Sequence, residues 1–148
     1  MSSWQQFEAD APDLARRVRE RFAARKHCTM ATLRRDGSPR ISGTEVEITD
    51  GELRIGSMPG AVKAKDLLRD PRLAIHSATV DPPDGNPAAW DGEAKVAGTA
   101  VVRPSLDDSH AFAVDVTEVV LTHLDDAGTQ LVITSWHPDR GVREIRHS

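Results

Sequence analysis

The sequence predicts a mainly β protein: an antiparallel barrel or sandwich, led by one helix and interrupted by another. Three observations carry this. After residue 26 the apolar spacing changes from helical to alternating. The alternating runs are short and are punctuated by tight-turn residues, at Arg35-Asp36-Gly37-Ser38, Thr49-Asp50-Gly51 and Asp125-Asp126-Ala127-Gly128. The hairpins these turns make are local, which favours a closed, Greek-key-like barrel.

Residues 12–26 read as the leading helix. Leu14, Val18 and Phe22 recur every four residues with Ala15 beside them, Asp10 stands at the cap position and Pro12 suits the first turn. The opposite face carries Arg16, Arg17, Arg19, Arg21 and Arg25. It reads as solvated, because nothing aromatic interleaves with it as in a nucleic-acid arm. Strands follow at 27–33 and 40–48. In the second, Ile41 sits on odd positions while Val46 and Ile48 sit on even ones, so a bulge or close backbone approach is expected near Gly43. A third strand occupies 52–57, and a short helix over 60–70 stops before Pro71. Strands are then expected at 73–80, 94–103, 114–124, 130–136 and 142–145, with a long Pro- and Gly-rich loop over 81–92 and a capped turn or short helix over 105–110.

The length of 148 residues fits one domain, 1–148, with residues 1–26 packing as a helix on the barrel. With 3 Phe, 3 Trp and no Tyr, the core must be built mainly from Val, Ile, Leu and Ala. A formal net charge of -4 gives no field that draws the chain to nucleic acid or anionic lipid. The single cysteine, Cys28, reads as a core residue in a reducing compartment. No signal-like start and no membrane-length apolar run is present, so the expected location is cytoplasmic. The six histidines are scattered, so no metal site is expected. His76 and Ser77 either line a pocket or are satisfied within the barrel. The loop with Trp90 is either a lid or an ordinary connection.

The most informative stretch is 57–72. A strand ends at Ser57, a Pro-Gly turn follows, and a helix opens near Gly60 with Lys63 in its first turn. Free amides and the helix dipole at such an end suit a phosphate, Gly60 permits close approach, and Lys63 adds a full charge. The pattern is neither a Walker loop nor a dinucleotide fingerprint.

Taken with Thr29-Met30-Ala31-Thr32-Leu33, the turn Asp36-Gly37-Ser38-Pro39 and Gly60-x-x-Lys63-Ala64-Lys65 through Asp70-Pro71-Arg72, the chain resembles the pyridoxamine 5′-phosphate oxidase-like superfamily. The resemblance implies a six-stranded split β-barrel, usually a homodimer with FMN at the subunit interface. It implies Lys63 at the FMN phosphate with Ser57 beside it, and Ser42, Gly43, Thr44 and Glu45 along the ring and ribityl chain. Glu93, Trp136 and Arg140 match positions that reach the flavin from a partner subunit. Two departures stand out: the oxidases usually carry Arg where this chain has Val62 and Ser42, so Lys65, Arg40 or a partner side chain must compensate. The residues that hold the vitamin phosphate have no match. The resemblance therefore points to the broader flavin and deazaflavin reductase branch: an oxidoreductase using FMN or the deazaflavin coenzyme (F-420), with hydride transfer to or from a small organic substrate and no assigned catalytic residue. The alternatives are a non-catalytic flavin- or haem-binding barrel, and an unrelated small β-barrel binding module.

Overall fold

The computed structural model describes residues 3–148. Helices α1 (Ser3–Asp10) and α2 (Pro12–Ala24) precede β1 (His27–Leu33), β2 (Pro39–Thr49) and β3 (Glu52–Ser57). Helix α3 (Val62–Arg69) leads to β4 (Arg72–His76), β5 (Glu93–Arg103), β6 (His110–Leu124), β7 (Leu131–His137) and β8 (Gly141–His147). The ladder order is β3-β2-β1-β4-β5-β6-β7-β8, and a further β3–β6 pairing closes the first six strands into an antiparallel barrel. Strands β7 and β8 extend it as a hairpin. No described helix is long and apolar enough to cross a membrane.

Strand β6 is what splits the barrel. Its residues 110–113 pair with β3, while residues 119–124 pair with β7. Between these two partners its edge would be left unpaired. Ser3 fills the gap: its Oγ donates to the Val114 carbonyl at 3.3 Å and accepts from the Val116 amide at 2.7 Å. A buried amide left without a partner costs about 1–3 kcal/mol, so this substitution matters. Behind Ser3, Trp4 and Phe7 are fully buried, and the Phe7 ring lies 5.0 Å from that of Trp136.

Several expectations need correction here. The N-terminal segment holds two helices, because α1 has only Trp4 and Phe7 as anchors and shows too few turns for a period to register. Asp10 is not a cap: α2 starts behind Ala11 without a side-chain cap, and Asp10 accepts the Trp136 indole N–H at 3.3 Å. The expected stripe of Leu14, Ala15, Val18 and Phe22 is buried. The β1–β2 register runs unbroken from His27↔Glu45 to Leu33↔Pro39, so there is no bulge at Gly43. The slipped alternation arises because Ile41 faces outward, 74% exposed, while Val46 and Ile48 pack against the core. The irregularity lies instead between Ala97 and Gly98 of β5, where a Cβ on Gly98 would meet the Asp115 carbonyl oxygen. Strand β6 begins four residues earlier than the alternation predicts, at His110.

Helix α3 is fastened to the barrel by a buried carboxylate. Asp66 is 2% exposed and accepts from Thr32 Oγ1 of β1 at 2.8 Å, from Arg40 Nε of β2 at 2.7 Å and from Arg69 Nη2 of its own helix at 3.1 Å. Burial works to raise its pKa, but these bonds outweigh burial and hold it below the ordinary value. Arg69 also donates to the Leu33 carbonyl at 2.7 Å. Elsewhere Arg103 and Arg54 converge on Glu52, and their hydrogen bonds hold its pKa at about 2.

Two outcomes follow from these carboxylates. Asp66→Asn keeps the shape but loses the charge, and should lower stability by about 2 kcal/mol in urea unfolding. Both Asp66 and Glu52 have folded pKa values below their unfolded ones. Their contribution is therefore complete above the ordinary carboxylate range and is lost as pH falls through each folded pKa, which for Glu52 is about 2. Thermal midpoints recorded from pH 6 downward should decline through the range below about 4.5, and Glu52→Gln should flatten that decline.

Candidate functional site

The β2–β3 ladder runs only from Val46↔Ile55 to Thr49↔Glu52. Beyond Val46 the two strands part, because β2 stays with β1 while β3 turns to β6. A cleft of about 1060 Å³ opens at the seam, at the upper limit of the size of small-molecule sites. Its walls include Gly43, Thr44 and Glu45 of β2, Gly56 and Ser57 of β3, Lys63 of α3, and Phe22 and Lys26 from the end of α2.

Lys63 spans the seam, with Nζ donating to the Gly43 carbonyl at 2.6 Å. Gly43 has open space where a side chain would stand, so bare backbone faces the cleft. Beside it, Thr44 is 4% exposed and its Oγ1 has no hydrogen-bond partner. Ser57 Oγ is likewise buried and unpartnered. Buried polar atoms nearly always have partners, so two orphan hydroxyls on residues that line the cleft with Lys63 leave hydrogen-bonding capacity at its wall unspent. The chemistry on offer is a cation with hydroxyl and backbone groups, which suits a phosphate ester bearing hydroxyls.

The far end of the cleft is charged. Glu45 lies 3.8 Å from Lys26 Nζ and 3.5 Å from His27 Nε2. Arg54 also lines the cleft but is committed to Glu52 and Asp50. Met58, 78% exposed, stands in the wall.

Of the residues expected at the site, the cleft brings together Gly43, Thr44, Glu45, Ser57 and Lys63. Ser42, Gly60 and Lys65 are outside its lining; Gly60 instead makes the turn before α3, at a φ of 73°. Helix α3 opens at Val62 behind Ala61, two residues later than expected. Arg40 is held by Asp66 and so does not replace the missing phosphate arginine. Glu93 lies 3.3 Å from His76 Nε2, away from the cleft, so His76 is satisfied by strand neighbours. Ser77 is satisfied too, accepting the Ala94 amide at 3.0 Å. Trp136 has no exposed surface and packs on Phe7, so its side chain is not available to a ligand. Arg140 donates to Ser135 Oγ at 2.7 Å. The 81–92 loop is not a lid on this cleft: Asp91 pairs with Arg21, and Ala88 packs against Gly128 of the β6–β7 turn. Cys28 is buried, and burial pushes its thiol pKa up.

Sequence reasoning missed Lys26 and His27, which enter the cleft from the joint between α2 and β1. It also missed Asp66, although a carboxylate between Ala64 and Leu67 on the buried side of a helix was a readable signal.

The comparisons agree with this geometry. The family model for pyridoxamine 5′-phosphate oxidase matches residues 14–123. Among curated proteins none matches the chain. Among solved structures, PhzG from Burkholderia lata 383, crystallised with tetrahydrophenazine-1-carboxylic acid, is similar with a TM-score of 0.66 at 11% identity, over 95% of this chain and 96% of that one. A pyridoxamine 5′-phosphate oxidase-related, FMN binding protein from Nostoc punctiforme gives a TM-score of 0.63 at 9% identity, over 93% and 96% of the two chains. A heme binding protein from Mycobacterium smegmatis gives 0.60 at 17% identity, over 91% and 88%. These likenesses show a shared fold, and the family match spans the barrel strands that form the cleft as well as α3 with its lysine. The chain therefore belongs to the pyridoxamine 5′-phosphate oxidase family.

Proposed function

We propose that this protein is an oxidoreductase that holds FMN, or the deazaflavin coenzyme, in the cleft between β2 and β3. The observation that carries the reading is the pair of buried, unpartnered hydroxyls of Thr44 and Ser57 beside Lys63. Lys63 receives the phosphate, Ser57 donates to it, and the Gly43–Glu45 backbone with Thr44 follows the ribityl chain and the ring edge. The bound cofactor supplies the hydride chemistry; the protein supplies position and shielding. Val62 in place of the oxidase arginine, with Arg40 engaged elsewhere, favours a reductase-type member over the vitamin oxidase.

The working unit in this reading is a homodimer. Across β2, β1, β4 and β5 the outward residues Ile41, Ala31, Ala74 and Ala97 stand in one register row without a charge. A second copy on this face shields Ile41 and closes the open side of the cleft.

A haem-binding reading is the alternative. His27 and Met58, both in the cleft wall, are side chains of the types that ligate haem iron.

Titration separates the readings. Wild type should quench FMN or deazaflavin fluorescence at micromolar concentrations. Lys63→Ala should weaken that binding about ten- to a hundredfold, the size of one charge-assisted contact. Equal binding by both proteins would remove Lys63 from the site. A Soret band with haem, and no flavin binding, would favour the alternative. Sedimentation should show a dimer, and Ile41→Glu should shift it to monomer and weaken cofactor binding in parallel.

A further inference from the structure

A second groove, of about 360 Å³, lies between the first turns of α2 and the β6-β7-β8 extension. It uses the other end of α2 from the main cleft and shares no lining residue with it. Its floor is apolar. Leu14 comes from α2, Leu121 from β6 and Val142 from β8, and Val142 is left 51% exposed. The register puts Leu121, Thr134 and Glu144 in one row across the three strands.

The charges around this floor are arranged unusually. Arg17 Nη1 lies 3.4 Å from His123 Nε2, and His123 Nδ1 lies 2.8 Å from the Leu124 carbonyl. A carbonyl only accepts, so Nδ1 carries the proton and Nε2 is the acceptor for Arg17. Arg16, Arg19 and Arg21 of the same helix each meet a carboxylate. Arg17 meets a ring nitrogen instead; among the described residues no carboxylate lies within ion-pair distance of it, while Glu20, Asp91, Asp125 and Asp126 line a neighbouring groove with it. Asp13, one turn earlier on α2, faces the same groove and has no cation at ion-pair distance among the described residues. Four residues apart on a helix, these two would ordinarily pair. Here both are left to the groove, with Glu144, which Arg146 approaches at 3.5 Å.

We propose that this groove binds an apolar α-amino acid, or a zwitterion of the same layout. The carboxylate rests on the guanidinium of Arg17, the ammonium on Asp13 and Glu144, and the apolar side chain on Leu14, Leu121 and Val142. A simple anion meets repulsion from Asp13, and a simple amine meets repulsion from Arg17. A zwitterion meets neither, and its side chain covers the exposed face of Val142.

The test is a titration of L-phenylalanine into uniformly 15N-labelled full-length protein, up to about 10 mM, enough to saturate a millimolar site. Amide signals of Leu14, His123 and Val142 should shift, while those of Gly43 and Lys63 stay put. 3-Phenylpropanoate and 2-phenylethylamine, each lacking one charge, should bind at least tenfold more weakly. Arg17→Gln should weaken L-phenylalanine at least tenfold. Val142→Glu, at an exposed position that leaves the fold intact, should do the same. Absence of shifts at the groove, equal binding of the single-charge analogues, or undiminished binding by the Val142 variant overturns the proposal.

Discussion

The cleft depends on one carboxylate. Asp66 takes hydrogen bonds from β1, β2 and α3 at once, so it fixes the helix against two strands whose other contacts run within the sheet. Remove that anchor and α3 keeps only the exposed bonds of Arg69 to the Leu33 carbonyl and Lys63 to the Gly43 carbonyl, with no side-chain cap of its own. The position of Lys63 is set three residues before Asp66, so the cation that faces the cleft is placed by an anion that does not. The same anchor consumes Arg40. A positive charge close to the seam in sequence is thereby withdrawn from it, and Lys63 is left as the cation bridging the gap between α3 and β2.

A second constraint is the double duty of β6. A 15-residue strand cannot keep one neighbour along its whole edge when the barrel closes at one end and opens at the other. Partition between β3 and β7 leaves backbone groups that need partners. The hydroxyl of Ser3 supplies them, and the aromatic residues that follow it seal the gap. Trp136 is drawn into that seal, which is why a residue expected at the cofactor lies in the core instead.

Much of this was legible in the sequence, and the reasons are local. The strand positions followed from period-two spacing and turn chemistry, which act between near neighbours. The cleft lysine and the Gly43–Glu45 run followed from a resemblance whose motifs lie close together in the chain. What was not legible depends on distant pairing. Ile41 read as an interior residue out of phase, although it lies on the outer face. The bulge belonged to β5, where Gly98 meets Asp115 across the sheet, and no spacing within β2 reports on that. Lys26 and His27 enter the cleft only because α2 ends beside the seam. Helix α1 was too short and too sparsely apolar to announce itself.

The hydrogen bond from Lys63 to the Gly43 carbonyl has a consequence for selectivity. An ammonium has three N–H donors, so this single bond leaves two of them for a ligand. Binding is then an addition to a side chain already held at its tip, not an exchange of partners. A lysine fixed in this way loses less freedom when it meets an anion than one that sways in solvent. The seam thus favours an anion that arrives where the two remaining donors point, and the carbonyl keeps its partner throughout.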